Sequence, residues 1–416
     1  MKSSPFSGFS SLSKLLASPL GGKSAIQVSP VGIDFGVGSL KMVQSGGSSG
    51  GELVGVAGVE TPPELYGDHN ARLKFQLAQL PRLMKEGGFK GRRVVCAIPN
   101  WRVMCKHLQV TRVEGVPLPV LIESAMPAQL GCDPLSVLHR DVEVGLVNGR
   151  TEVIVIATPR EFIDRLVRGL TSAKLEPVGM HSEFTSTLRA FDGIHRRDKD
   201  MDYNTLYLDI GAGTTNVMVA HGTGLAFARV ISVGGLQIDR AIAQTCGCSP
   251  AEARAKRLAL GLTAPPPPRP AAAAPDSSAI TGVVDPTAER RVAVPPQLPG
   301  LSPEVTSQPA SPVVPEGGNA DEALEILADE VQMCLRYHAS QHPSRRVDRV
   351  IFVGGEARHR GLCQHLTRVL KLPGFMADPL SRLTRRGGDP CPGVDLGLPQ
   401  PAWAVAMGLC MSPTDL

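Results

Sequence analysis

Short apolar runs that stop at glycine, interleaved with longer stretches of helical periodicity, set the pattern of the chain. Val31-Gly32-Ile33 and Leu40-Lys41-Met42-Val43 flank a first turn, Asp34-Phe35-Gly36-Val37-Gly38-Ser39. Leu206-Tyr207-Leu208 and Asn216-Val217-Met218-Val219-Ala220 flank a second, Asp209-Ile210-Gly211-Ala212-Gly213-Thr214-Thr215. Each reads as a β-hairpin whose tip is glycine and small hydroxyl residues. Glu52 to Val59 adds a third strand to the first hairpin, and Leu225 to Ile231 adds one to the second. Helical phase follows in both halves. Leu73, Leu77, Leu80, Leu83 and Met84 share one face of a helix predicted over 71–86 and stopped by Gly87-Gly88, and a helix from Leu236 to Cys246 opens after Gly234-Gly235.

Between these halves, residues 101–173 predict a separate unit. Val103 to Val110 reads as a strand and Pro117 to Gln129 as a helix. Val137 to Leu146 and Glu152 to Ala157 form a hairpin turning at Asn148-Gly149, and Phe162 to Leu170 closes with a second helix. The β-α-β-β-α order describes a small two-layer module packed on the first lobe. Further on come a helix from Asp321 to Tyr337, a strand at Val350 to Val353, and a helix at Ala402 to Leu409 that returns to the first lobe. The expected layout is a disordered leader at 1–29, a first lobe at 30–200 that includes the module, and a second lobe at 201–400. Residues 401–416 complete the chain. Pro265 to Pro268, Ala271 to Ala274 and repeated Pro-Ser-Val segments make 263–316 a disordered insertion, because such a composition cannot pack a core.

Composition narrows the class. A chain of 416 residues can bury two or three domains. A formal charge of +4 without a concentrated basic tract does not favour nucleic acid as partner. The nine cysteines show no C-x₂-C pairing and read as buried thiols of a reducing compartment. The ten histidines show no H-E-x-x-H spacing, so no metal site apart from magnesium is expected. Leu15-Leu16-Ala17 falls far short of a signal h-region or membrane span.

The two turns suggest the chemistry. Glycines let backbone N–H groups approach an anion closely, and hydroxyls add donors at small steric cost. An aspartate beside such a loop repels phosphate directly but suits a water-coordinated Mg²⁺ that bridges phosphates. The doubled pattern resembles the phosphate-1 and phosphate-2 motifs of the actin-like ATPase superfamily. Val350-Ile351-Phe352-Val353-Gly354-Gly355-Glu356-Ala357 is similar to its adenosine motif, and His181 to Phe191 to its first connecting segment. All four stand in the superfamily's order. Within it the chain resembles the PilM family of type IV pilus assembly proteins, related to FtsA, from Val31 to Leu409 outside the proline-rich insertion. The anchors are Ala97-Ile98-Pro99, Phe227 to Gly235, Glu252-Ala253-Arg254-Ala255-Lys256, Glu330 to Tyr337, Ala377-Asp378-Pro379 and Ala404 to Leu409. The long insertion and Thr214-Thr215-Asn216, where many relatives are richer in serine, depart from the pattern.

The resemblance implies an α/β actin-like fold: two lobes of duplicated βββαβα type with the small module inserted in the first. It implies ATP and Mg²⁺ as ligands. Asp34 and Asp209 would hold the metal through waters. Gly36, Gly38, Ser39 and Lys41 would touch the phosphates on one side, and Gly211, Gly213, Thr214 and Thr215 on the other. Glu183 aligns with a position that orients water, or else it caps the helix that follows. Lys256 and Arg336 would line the adenosine pocket, bordered by Gly354, Gly355 and Glu356. The implied role is an ATP-binding assembly protein, at most a slow ATPase, at the cytoplasmic face of the inner membrane. It would recruit the cytoplasmic tail of a bitopic, PilN-like protein in a pilus or type II secretion platform, with self-association left open. Two other classes compete. A filament former of the FtsA type wants a C-terminal amphipathic helix, which Met411 to Leu416 does not offer, and a small-molecule kinase wants an acceptor-binding signature that Glu123, Asp133 and Asp141 do not form.

Overall fold

A computed structural model describes residues 28–47, 50–131, 133–194, 198–262, 320–385 and 391–416. The expected insertion at 263–316 and nearly all of the expected leader lie outside the described residues. The first part of the chain runs β1 (Val31–Phe35), β2 (Ser39–Gly46), β3 (Glu52–Glu60), α1 (His69–Glu86) and β4 (Arg93–Ile98). Then follow β5 (Met104–Val110), α2 (Leu118–Leu130), β6 (Val137–Val147), β7 (Arg150–Pro159), α3 (Arg160–Ser172), β8 (Glu176–Ser182) and α4 (Glu183–Ala190). The second part holds β9 (Asn204–Ile210), β10 (Thr215–His221), β11 (Gly224–Ile231), α5 (Gly235–Cys246), α6 (Pro250–Leu262) and α7 (Ala320–Gln341). It closes with β12 (Arg349–Val353), α8 (Arg360–Leu370), β13 (Gly374–Met376), β14 (Thr384–Arg385) and α9 (Ala404–Cys410).

One plan is used twice. The first sheet has the order β14-β3-β2-β1-β4-β8, and the second β11-β10-β9-β12-β13. In each, an antiparallel meander of three strands is extended by parallel strands on its first member: β1 with β4, and β9 with β12. Parallel strands need crossover helices on the sheet faces, which leaves both faces covered. The wholly apolar runs of β4 and β12 suit that burial, and their core residues have no solvent exposure. The carboxyl ends of β1 and β9 open into the crevice between the sheets, where ligands of open α/β sheets bind.

Two placements differ from the sequence pattern. Helix α3 was expected in the small module, but Phe162, Ile163, Leu166 and Leu170 are buried in the core of the first sheet with Val31, Ile33 and Leu80. The spacing of those four residues makes one apolar face, and the nearest apolar surface is the first sheet. What remains is a three-stranded sheet, β5-β7-β6, with Ile122 and Met126 of α2 buried against one side. Its other side packs on the second sheet rather than the first. Ile154 and Ile156 of β7 share a cluster with Met218, Ala220, Leu225 and Ala228 of β10 and β11. Alternation along β7 explains both contacts, since Val153 and Val155 point the opposite way into the α2 layer.

At the base of the crevice α9 packs on β1, β2, β4 and α4. A Cβ built on Gly408 would stand 1.7 Å from the Ser186 carbonyl oxygen of α4, so this crossing requires glycine.

Candidate functional site

The crevice is a cleft of about 1160 Å³ lined from both sheets. Its first wall is the turn after β1. The Gly36 carbonyl accepts from Gln76 Nε2 of α1 at 2.7 Å, and the Gly38 carbonyl from the Thr61 amide at 3.0 Å, so the turn is tied to the elements behind it. The second wall is the turn after β9. Here Gly211 N donates to the Thr214 carbonyl at 2.9 Å, while Gly235 N and Leu236 N at the start of α5 donate to the carbonyls of Gly211 and Ala212. The two turns nearly touch. A Cβ on Gly213 would lie 3.2 Å from Val37, and one on Gly38 would lie 3.4 Å from Ala212. Gly354, at φ +90°, continues this bare floor, since a Cβ there would meet the Ile210 carbonyl at 2.4 Å.

Three carboxylates from three elements converge beneath the turns: Asp34 on β1, Asp209 on β9 and Glu183 at the start of α4. Lys41 Nζ lies 2.9 Å from Asp34 Oδ2, one strand across. Asn216 donates through Nδ2 to Glu183 Oε2 at 2.9 Å and to Asp209 Oδ2 at 3.2 Å. Asn100 donates to the same Glu183 through its backbone N–H at 3.2 Å and through Nδ2 at 2.5 Å. Desolvation first, then the charges of Asp34 and Asp209, push Glu183 up to about 8. Desolvation and the Asp34 charge push Asp209 up to about 6, with Lys41 and the Asn216 hydrogen bond acting against the shift. Gathered acids of this kind resist ionisation together.

These residues fit a hydrated magnesium ion. Among the described residues no three His, Cys, Asp or Glu side chains are arranged to hold an ion directly. Mg²⁺ keeps most of its waters and binds through few carboxylates, so direct enclosure is not required. The Asn100 Oδ1 atom, buried without a partner beside the carboxylates, is one more acceptor available there.

Of the residues expected at the site, Asp34, Gly36, Gly38, Ser39, Lys41, Glu183, Asp209, Gly211, Gly213, Thr214, Gly354, Gly355 and Glu356 all line this cleft. Three do not. Thr215 is fully buried and donates its hydroxyl to the Val233 carbonyl at 2.7 Å, because on β10 it points opposite to Asn216. Lys256 lies on the exposed face of α6 and Arg336 on that of α7, away from the cleft. On α6 the inward residues are Arg254, which lines the cleft, and the fully buried Arg257. Arg257 donates to Glu356 Oε2 at 2.5 Å and to Asp239 Oδ1 at 2.7 Å. Burial alone would lower its pKa, but the two carboxylates outweigh that and hold it charged. Ser182 Oγ, rather than Glu183, caps α4 by accepting from the Thr185 amide, and Glu183 faces the cleft.

Asn100 and Asn216 were missed as site residues. A polar residue at the carboxyl end of a buried parallel strand was the available signal for Asn100, which directly follows β4 and Pro99.

The sequence model of the family described as type IV pilus assembly protein PilM matches residues 32–264, and that of cell division protein FtsA matches 206–408. No curated protein sequence matches the chain. Among solved structures, a PilM-PilN type IV pilus biogenesis complex is 19% identical, with 92% of this chain and 98% of that chain covered, at a TM-score of 0.67. Ethanolamine utilization protein EutJ from Carboxydothermus hydrogenoformans is 13% identical over 92% and 89% of the two chains, at a TM-score of 0.44. MreB 5 of Spiroplasma citri bound to AMPPNP is 11% identical over 94% and 96%, also at 0.44. The duplicated sheets and the first of these likenesses are those of the actin-like ATPase fold.

Proposed function

The chain belongs to the PilM family of type IV pilus assembly proteins, and we propose that it is an ATP-binding assembly protein whose Mg²⁺-nucleotide site is the cleft between its two sheets. One observation carries this reading. Asp34, Asp209 and Glu183 meet under two glycine turns that line the same cleft, where a phosphate chain would lie. The bound cation would supply charge neutralisation for the phosphates. The chain's own residues do the rest. Asp34 and Asp209 would hold the ion through its waters, Gly36, Gly38, Gly211 and Gly213 would let the phosphates approach, and Asn100 with Asn216 fixes the Glu183 carboxylate. The network of Arg254, Arg257, Asp239 and Glu356 forms the polar end of the cleft beside Gly354 and Gly355, where the nucleoside would lie.

The partner in this reading is the cytoplasmic tail of a PilN-like membrane protein, because one similar solved structure is a PilM-PilN complex. Among the described residues no helix is long and apolar enough to cross a membrane, so attachment to the cytoplasmic face of the inner membrane would come through that partner. The proposed seat of the tail is a groove walled by the edge strand of the module and by α2, whose outer face carries the exposed Val120 and Glu123.

Calorimetry with Mg-ATP tests the nucleotide site. Asp209→Ala is expected to weaken binding at least tenfold, about 1.4 kcal/mol. Wild-type affinity in that variant would refute the cleft as the magnesium site.

A further inference from the structure

Helices α1 and α3 lie side by side on one face of the first sheet. Leu73, Leu80 and Leu83 of α1 enter the same core as Phe162, Leu166 and Leu170 of α3, and a Cβ on Gly169 would stand 2.7 Å from Leu77. The helices return to parallel strands, β4 and β8, and Glu176 N donates to the Arg92 carbonyl at 2.8 Å, so the two returns are neighbours. Both strands run parallel to β1, whose carboxyl end opens into the crevice, so the returns lie at the opposite pole of the sheet. Lys85 in the last turn of α1, Lys90, Arg92 and Arg93 after it, and Arg168 and Lys174 toward the end of α3 are all exposed. We propose that this basic pole binds the anionic headgroups of a phospholipid bilayer. The inference rests on the pilus-assembly reading, which brings the chain to a membrane, and adds a direct contact to the tether supplied by the partner.

Residues 69–93 and 160–176 hold eleven lysines and arginines against four acids, and of the eleven only Arg72 is buried. Their formal charge of +7 exceeds the +4 of the whole chain, so everything outside them is net negative. The two stretches are far apart in sequence, and the fold brings their charge to one side of the molecule. Among the described residues only one of these cations is paired with a carboxylate, Arg82 with Glu86 at 2.9 Å. Glu176, opposite Arg93 in the register of β4 and β8, is the acid inside the cluster, while Glu161 and Asp164 stand toward the start of α3. The carbonyl ends of two helices add about half a negative charge each, which offsets about one cation. A surplus of positive charge remains at this pole.

Cations spread over two helix ends and two strand starts suit many headgroups rather than one small anion. Each lysine or arginine near an anionic leaflet adds to the attraction, which decays within a Debye length, about 10 Å at 0.1 M salt. Their long stems let the charged ends reach the interface. The chain also enters the fold at this pole, where Ser29 N donates to the Ser45 carbonyl at 2.9 Å just before β1. Residues 1–27, which lead into it, contain three lysines, no acid, and Phe6, Phe9, Leu15 and Leu16. Apolar side chains among cations gain from a bilayer interface and gain nothing from a polynucleotide backbone. A chain held by this pole keeps its cleft open to nucleotide.

The test is flotation of the full chain, without nucleotide or partner, on vesicles of phosphatidylcholine alone and of equal parts phosphatidylcholine and phosphatidylglycerol. Binding is expected on the anionic vesicles only and should weaken as salt rises. Lys85→Glu, Arg92→Glu, Arg168→Glu and Lys174→Glu together should lower it at least about tenfold. Four reversals elsewhere, Arg150→Glu, Lys256→Glu, Arg336→Glu and Arg368→Glu, should leave most of it. No binding, equal binding to neutral vesicles, or equal loss in the second set overturns the proposal. So does loss on removal of residues 1–27 when the first set has no effect. Displacement of the vesicles by duplex DNA or polyglutamate at a lower concentration of charge would assign the pole to a different occupant. Calorimetry with Mg-ATP on the same preparations keeps the two readings apart. Absent lipid binding with intact Mg-ATP binding refutes the pole alone, and the reverse refutes the cleft alone. Circular dichroism checks folding, and if the first set does not fold, Arg168→Glu with Lys174→Glu decides the outcome.

Discussion

Glu183 is gripped by two asparagines and faces two aspartates, so its proton is a direct handle on the charge of the cleft. Its pKa, raised from 4.5 to about 8, means that the folded protein keeps this proton after the unfolded chain has lost it. The associated stability is fully present below about pH 4.5 and is lost as pH rises through about 8. Asp209, raised from 3.8 to about 6, adds a decline of the same sign over a lower window. Without divalent cation, the melting temperature is therefore expected to fall between about pH 5 and pH 8. Glu183→Gln should flatten that slope, because the amide mimics the protonated acid and Asn100, whose Oδ1 lacks a partner, can turn to accept from it. Thermal denaturation across pH checks this, and an unchanged slope in the variant would show that the proton resides elsewhere. Mg-ATP binding should run the opposite way and tighten with pH, since cation and proton compete for the same carboxylates. A glutamate protonated near neutrality is also a poor base, consistent with turnover below the usual enzyme median of about 10 s⁻¹.

At the scale of elements, what could be read in advance depended on whether a requirement was local. The two glycine turns were legible because a bare backbone is written in the residue type at each position. Lys256 and Arg336 were misplaced because a helix's rotational phase is set by what it packs on. On α6, Ala253 and Arg257 are both buried at a spacing of four residues, which turns Lys256 outward and Arg254 toward the cleft. Thr215 was misread for a simpler reason: neighbours on a strand face opposite ways, and Asn216 holds the site side. The module's partner was not legible, since β7 is apolar on both faces and its sequence does not say which sheet each face meets. A sharper element-scale prediction concerns the crossing of α4 and α9. Gly408→Ala gains about 1 kcal/mol in helix propensity, but its Cβ would sit against the Ser186 carbonyl, a backbone atom that cannot rotate away. Overpacking typically costs about 1–3 kcal/mol, and displacement of a whole helix places this case at the upper end. Urea denaturation should show a net loss of at least about 1 kcal/mol, and a stability gain would mean that the helices are farther apart than described.

At the scale of the whole molecule, nucleotide and partner are expected to use separate surfaces, and the segment between α6 and α7 neither. Ala253 of α6 and Leu324, Leu327 and Val331 of α7 are buried in one cluster with Ile238 and Ile242 of α5, so both helices have their own anchorage. The composition of 263–316 offers little apolar surface to add to that cluster. Shortening a long connection changes closure entropy by only about 0.6 kcal/mol per halving. Excision of 263–316, with a short flexible linker retained, should leave the melting temperature, Mg-ATP affinity and capture of the PilN-like tail close to wild type. Glu123→Lys combined with Val120→Asp should behave differently. Glu123 and Val120 are both about half exposed on α2, so the pair alters the proposed seat of the tail without reaching the carboxylates under the glycine turns. Capture of the tail should be lost in that variant while calorimetry with Mg-ATP stays within about twofold, under 0.5 kcal/mol. If the excised chain loses the tail and the double variant retains it, recruitment belongs to the excised segment, and the groove beside α2 has no part in it.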